Sequence, residues 1–323
     1  MKAPSFWRSP NAVATALSPL GAAYGRIGRW RRQTAKPWRA EVPVLCIGNL
    51  TAGGAGKTPV ALSLALRLRA MGLEPHFLSR GYGGRMKGPV MVDPGRHEAT
   101  DVGDEPLLLA EAAPTWVARD RAAGAKAAID AGATVLVMDD GFQNPALAKD
   151  VSLVVVDGET GFGNGRLIPA GPLREPLADG LGRASALAVM GDDRAGVGAL
   201  AEEWELPVLF GRLVPDGDAG WLRGTPVVAF AGIGRPEKFF ATLKALGARP
   251  TAEFAFGDHH RYEADEIMRM VDLANRAKAV LVTTTKDRAR LPPDARPMVR
   301  TLPVRVSWSD DGAVDRLLEP LLP

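Results

Sequence analysis

Only one cysteine, Cys46, occurs in the 323 residues, so no internal disulfide framework holds this chain together. Its ordinary role is that of a small buried hydrophobe on a strand. No run approaches the ~18 consecutive apolar residues needed to span a bilayer. Internal repeats and low-complexity tracts are absent. The four histidines have no Cys or His partners at ligand spacing, which argues against a structural zinc site. Acid is missing from residues 1–40, which hold eight Lys or Arg and no Asp or Glu. The remainder carries 32 basic against 37 acidic residues, so the net charge of +3 is a local N-terminal property. A basic nucleic-acid-binding body is therefore not expected, and nothing points to an obligate protein partner. The N-terminus should instead meet something anionic.

What is present is an ordinary globular composition, 46% hydrophobic and 24% charged, long enough for about two domains. Residues 1–40 form the first segment. Val13, Leu17, Leu20, Tyr24 and Ile27 recur at steps of four, three, four and three, one face of a helix. Ser9-Pro10 suits a helix start, and Pro19 should kink or split the helix. Trp7, Trp30 and Trp38 flank the apolar face beside the arginines. Such a helix either lies in a membrane interface or packs on the domain as a surface helix. A cleaved signal peptide fits less well, because Pro19 breaks the apolar run.

From residue 41 the chain alternates. Apolar runs at 44–49, 133–141, 151–157 and 185–191 read as buried strands, with a helix at 59–71 opened by Pro59. Continuous apolar strands separated by helices predict an α/β fold: a mostly parallel, P-loop NTPase-like sheet with helices on both faces. The expected organisation is a P-loop core at 41–195, a short-stranded linker at 196–224, and a smaller α/β domain at 225–323. The last of these takes in strand-like runs at 226–234, 279–287 and 303–308.

The chemistry starts at "GNLTAGGAGKTP". A strand, a glycine-rich turn, Gly56-Lys57-Thr58 and then a helix is the setting a phosphate-binding loop requires. A strict G-x-x-x-x-G-K-[ST] pattern would place glycine at 51, where Thr51 stands. The glycines nearest the phosphates, Gly53, Gly54 and Gly56, remain. The loop Thr51, Ala52, Gly53, Gly54, Ala55, Gly56, Lys57 and Thr58 is the expected nucleotide site. Backbone N–H groups and the helix dipole face the anion, Lys57 reaches the β/γ-phosphates, and the Thr58 hydroxyl ligates Mg²⁺. "TVLVMDDG" supplies the matching acids: Asp139 and Asp140 close an apolar strand, and either of them is placed to hold Mg²⁺. A guanine-specific N-K-x-D sequence is absent, which favours ATP. Other polar clusters are weak singly: "SRGYGG", "DVGDEP", "LIPAGPLREP" and "GDHHRY".

Taken in order, "GNLTAGGAGKTP", "SRGYGG", "VGDEP", "DDGFQ", "PAGPLREP", "FAGIGRPEKF", "DHHRY" and "TTKD" resemble the tetraacyldisaccharide 4′-kinases. The likeness runs from the N-terminal segment to about residue 290. One departure is Thr285, where the family pattern T-E-K-D has Glu. The resemblance implies transfer of the γ-phosphoryl group of MgATP to the 4′-hydroxyl of a tetraacylated glucosamine disaccharide 1-phosphate, the lipid A precursor. It implies a peripheral enzyme on the cytoplasmic face of the inner membrane. It also implies Asp104 as base with His259 as its partner, and Glu175 as a further Mg²⁺ ligand. Arg80, Tyr82, Arg119, Arg121 and Gln143 become candidates for the acceptor headgroup. Two other classes remain open: another P-loop small-molecule kinase, and a nucleotide-dependent switch that would not need Asp104 or His259.

Overall fold

The structure is a computed structural model and describes residues 4–323. Thirteen strands fall in two sheets. In chain order they are β1 (Val44–Gly48), β2 (Pro75–Ser79), β3 (Val90–Met91), β4 (Thr115–Val117), β5 (Val135–Asp139), β6 (Val151–Asp157), β7 (Ala186–Met190), β8 (Val208–Pro215), β9 (Pro226–Ala231), β10 (Arg249–Ala255), β11 (Val280–Thr284), β12 (Arg300–Leu302) and β13 (Val304–Trp308). The larger sheet has the order β13-β8-β7-β6-β1-β5-β2-β4-β3, parallel except for β13 and β3 at its two edges. The smaller sheet, β10-β9-β11-β12, is wholly parallel.

The central strands are apolar throughout because helices cover both faces. On β1, Leu45 and Ile47 enter one hydrophobic core while Val44 and Cys46 enter the other. Burial pushes the Cys46 thiol up to about 12, so it serves as packing, not as a nucleophile. β1 lies between β5 and β6, and the crossovers leaving its two sides diverge there. That switch point opens a crevice beyond the carboxyl ends of the strands, where doubly wound sheets bind ligands.

Residues 196–224 do not form a separate linker. They contain the helix Val197–Glu203 and β8, which is hydrogen-bonded to β7. β13, read from sequence as part of the smaller domain, pairs antiparallel with β8 in the larger sheet. The change of sheet therefore falls after β8 and again before β13. The lobes meet through charges as well as through the chain. Arg235 and Lys238 bind Asp157 at the end of β6, the lysine at 2.8 Å, and both reach Glu159.

Helix α1 (Ala12–Thr34) starts later than Ser9-Pro10 suggests. Asn11 is its cap, accepting the Ala14 N–H at 2.9 Å. It also runs through Pro19 without a break. Its buried residues are Ala14, Gly21 and Gly25, and a Cβ on Gly25 would stand 2.6 Å from Leu167 Cδ1. Small residues thus seat the helix on the domain. The apolar face points outward: Leu20 and Ile27 are each 60% exposed, with Val13, Tyr24 and Trp30 beside them. Among the described residues no helix is long and apolar enough to cross a membrane.

Candidate active site

The glycine-rich turn joins β1 to helix α2 (Lys57–Ala70). Gly56, at φ +86°, caps the helix in a conformation that a side chain would strain. Thr51 explains its own departure from the strict pattern. It forms an antiparallel bridge with Leu173, and the Ala52 N–H donates to Pro172 O at 2.7 Å. This half of the turn is extended backbone pinned to the Pro-rich loop, so glycine is not needed there and the Ala52 N–H is not offered to an anion. The N–H groups of Gly53, Gly54, Ala55 and Gly56 donate to no backbone oxygen among the described residues. With the unpaired first turn of α2 they leave a row of N–H donors without backbone partners where the sequence reading expects the nucleotide.

Asp139 ends β5 beneath this turn. Its carboxylate is buried, and neither oxygen has a hydrogen-bond partner among the described residues. Burial, reinforced by Glu105, pushes its carboxyl up to about 8. Asp140 follows at φ +52°, a strained value for a non-glycine residue. Its side chain meets Lys57 Nζ at 3.5 Å and Arg174 Nη1 at 2.9 Å. Burial works against its ionisation, but Lys57 and Arg174 hold its carboxyl below the usual value. Thr58 is buried in the first turn of α2.

An unpartnered buried carboxylate beside a lysine and a phosphate nest fits a divalent cation. Among the described residues no cluster of three or more His, Cys, Asp or Glu could cage one. Mg²⁺ does not need such a cage, since one or two carboxylates, water and phosphate oxygens suffice. Glu175 is already engaged: Arg183 at 2.8 Å, Gln143 at 3.1 Å and Arg32 of α1 at 3.4 Å surround its buried carboxylate. Gln143 also donates to Asn49 O at 2.9 Å, which places it under the phosphate turn.

Asp104 opens helix α4 (Asp104–Ala110), which follows the short helix α3 (Ala99–Val102) and Gly103 at φ +94°. Although 155 residues apart in the chain, His259 and Asp104 meet: His259 Nδ1 lies 3.1 and 3.2 Å from the two Asp104 oxygens. His259 sits at φ +57° in the loop after β10, its N–H bonded to Gly232 O at 3.1 Å. A Cβ on Gly234, in the same loop cluster, would lie 3.4 Å from Gly54 N, so this cluster borders the phosphate turn. Burial disfavours the Asp104 charge. The His259 hydrogen bond and the charges of Lys286, His259 and Arg290 outweigh it, and hold the carboxyl at about 2.

A cavity of about 340 Å³ opens onto this pair, walled by Tyr82, Arg261, Arg290 and Pro292. Tyr82 is exposed and edge-on to His259, with ring centroids 5.5 Å apart. Arg80 and Arg119 are exposed. Arg121 is not: it is 2% exposed, bonds Ala118 O, and is lowered to about 10 by burial and by Arg80. Three charged groups escaped the sequence reading. Arg290 lies 3.2 Å from Asp104, Lys286 bonds Glu105 at 2.8 Å, and Asp287 is fully buried. They belong to "TTKDRAR", just after β11, where charges following an apolar strand mark the carboxyl edge of a parallel sheet.

A family model described as LpxK, tetraacyldisaccharide-1-P 4′-kinase, matches residues 13–322. The chain belongs to that family. A tetraacyldisaccharide 4′-kinase of Rhodospirillum centenum is 58% identical over all of this chain and 97% of its own. One from Paramagnetospirillum magneticum is 54% identical over 99% of this chain and 98% of its own. Among solved structures, LpxK from Aquifex aeolicus in complex with ATP matches with TM-score 0.78 and 26% identity, covering 97% of this chain and all of that one.

Proposed function

We propose that this protein transfers the γ-phosphoryl group of MgATP to the 4′-hydroxyl of a tetraacylated glucosamine disaccharide 1-phosphate. The observation that carries the reading is the Asp104–His259 pair, facing a cavity beside a phosphate nest and an unpartnered Asp139. Phosphoryl transfer asks the protein mainly for alignment and charge neutralisation. The N–H groups of Gly53 to Thr58 and the Lys57 ammonium hold the β/γ-phosphates. Asp139, with Asp140 and Thr58 at its sides, is placed to hold Mg²⁺, which when bound offsets the charge on the bridging and transferring oxygens. Glu175 would join this set by exchanging an arginine for the cation. Asp104 is ionised at neutral pH and accepts the hydrogen bond of the acceptor hydroxyl. As the new O–P bond forms and the bond to the ADP oxygen breaks, the hydroxyl proton passes to Asp104 and ADP leaves with the electron pair. A carboxylate held at about 2 is a weak base. It suits a loose transition state in which the proton moves late.

A 340 Å³ cavity has room for sugar but not for four acyl chains, so the chains remain outside it. The outward face of α1, with exposed Arg26 and Arg31 beside it, suits a peripheral attachment to the anionic cytoplasmic surface of the inner membrane, where such an acceptor resides. Tyr82 lines the cavity, Arg80 and Arg119 are exposed, and all three would meet the headgroup. Buried Arg121 would act by its charge on the Asp139–Asp140 side.

The test is transfer of labelled γ-phosphate from MgATP to tetraacyl disaccharide 1-phosphate in mixed micelles, for wild type and Asp104→Ala. Transfer by wild type, with a fall of about 10²–10⁴-fold in a variant that still binds ATP, is expected. No transfer by folded, ATP-binding wild type overturns the reading. Full transfer by Asp104→Ala removes the base assignment.

A further inference from the structure

Arg290 is an unusual residue to find behind a reactive carboxylate. Its side chain is 3% exposed, and every part of the guanidinium is placed. Nε lies 3.2 Å from Asp104 Oδ2, Nη2 3.0 Å from Asp287 Oδ1, and Nη1 2.9 Å from Gly232 O and 3.3 Å from His260 O. Asp287, which aims it, is itself fixed on all sides. It accepts from the Tyr262 hydroxyl at 2.7 Å, the Gly232 N–H at 2.8 Å and the Thr284 hydroxyl at 2.5 Å. The same Gly232 carbonyl that Arg290 grips receives the His259 N–H. One rigid assembly after β9 and β11 therefore carries both groups that touch Asp104.

A carboxylate has two oxygens and about four lone-pair positions. His259 Nδ1 bridges both oxygens. The Arg290 guanidinium sets its charge 3.2 Å from Oδ2, while its Nε–H donates to Lys286 O at 3.3 Å. Lone-pair positions on the carboxylate are left to accept. We infer that Arg290 is a positioning residue for the phosphoryl-transfer base: it sets a fixed charge against Asp104, holds the carboxylate with His259, and leaves it accepting capacity for the acceptor's proton. The inference rests on the kinase reading above and specifies what holds the base. The other charged or titratable groups around Asp104 are Lys286 with its partner Glu105, Asp258 at 3.9 Å from His259 Nε2, Arg261 and Tyr82 in the cavity wall, and Asp101 on the preceding helix. Among the described residues Arg290 and His259 pair with Asp104 at contact distance, and Lys286 acts on it by charge alone. The charge of Arg290 also contributes to holding the Asp104 carboxyl low.

The experiment uses the full chain with Arg290→Gln and Arg290→Lys, in the micelle assay, from neutral pH down toward the value of about 2 at which the Asp104 carboxyl is held. Melting temperature and ATP affinity check the fold. Arg290→Gln is expected to lower kcat on the order of 10²-fold, as a misplaced reacting group does, with KM for ATP within about twofold. Its acidic limb should move upward, because the Arg290 charge is one of those, after His259 and Lys286, that hold the carboxyl low. Arg290→Lys keeps the charge without the fork. It should return the limb to its wild-type place and recover part of kcat. Wild-type kcat in Arg290→Gln overturns the inference. So does a lowered kcat with an unmoved limb and ATP affinity falling in step, which marks a purely structural arginine. A wild type that transfers nothing overturns the kinase reading itself, and this inference with it.

Discussion

Replacing Asp139 by Asn removes an ionisable group whose charge the fold leaves without a partner. The carboxylate is 1% exposed, and both oxygens lack hydrogen bonds among the described residues. Its carboxyl is pushed up to about 8 by burial and by Glu105 and Asp140, with Lys57 and Lys286 opposing. An unfolded Asp titrates near 3.9. Between these two values the folded chain binds more protons than the unfolded one, so stability falls as pH rises. The loss approaches ~1.4 kcal/mol per pH unit inside the window. Asparagine carries an offset of about 1–3 kcal/mol for its own buried amide, but that offset does not change with pH. The prediction is therefore a slope. In metal-free buffer, Asp139→Asn should gain stability relative to wild type steadily from pH 5 to pH 8, as read by urea unfolding. Titrating groups that do not interact with Asp139 are common to both chains and cancel. Asp104, held at about 2, acts in the opposite sense and in another window: its contribution is present above about pH 4 and is lost as pH falls toward 2. Adding Mg²⁺ with ATP should stabilise wild type selectively and flatten the slope, because a bound cation supplies the missing partner. A difference that stays flat with pH, or one that turns against the variant as pH rises, would refute the reasoning about Asp139.

Two further outcomes follow from the geometry. Thr51→Gly restores the strict glycine pattern but should not tighten ATP binding, which isothermal titration should find within about twofold of wild type. Because Thr51 is bridged to Leu173 in extended backbone, the change should cost about 0.5–1 kcal/mol of stability by thermal melting. Leu20→Glu with Ile27→Glu alters two side chains that are each 60% exposed, so folding and ATP affinity should be unchanged. Sedimentation with anionic vesicles should weaken at least 10-fold, since each apolar side chain is worth about 1.5–3 kcal/mol on burial. Unaltered vesicle binding would mean that the outward face of α1 is not the attachment surface.

What could be read from the sequence was what is local. The phosphate turn carries its glycines, Lys57 and Thr58 within eight residues, and the central strands announce themselves because burial on both faces makes them apolar throughout. β8 was hidden for the converse reason. Along Val208–Pro215 buried and exposed positions mix, Phe210 and Leu213 are exposed, and only its partners distinguish the segment from a linker. The return of β13 to the larger sheet is a pairing across about ninety residues, and no periodicity within either strand encodes it. Helix α1 was placed by its apolar stripe, but the stripe is not what seats it. The seat is Ala14, Gly21 and Gly25 against Leu167, a pattern of absences in the side chains. Arg290 lay in plain view in "TTKDRAR" without a glycine, proline or histidine to single it out. Its role depends on Asp104, 186 positions earlier in the chain.

The division of labour between the lobes limits what each can do alone. The phosphate nest, Lys57, Asp139 and Asp140 all belong to the larger sheet and its turns. The residues proposed to hold the phosphates therefore all lie in the larger lobe. The base cannot: Asp104 comes from the larger lobe, while His259 and Arg290, which orient it, come from the smaller one. Apart, the lobes would leave Asp104 with neither of its two direct cationic or hydrogen-bonding partners, free to rotate and beside open water. Together, they bring a histidine hydrogen bond and an arginine charge to it at the wall of a cavity of about 340 Å³. A protein built this way separates holding the phosphoryl donor from activating a hydroxyl. On the proposed reading, water that reached the nest without the smaller lobe in place would meet phosphate but no ordered base, and transfer to it would be disfavoured for the same geometric reason that transfer to the acceptor is favoured.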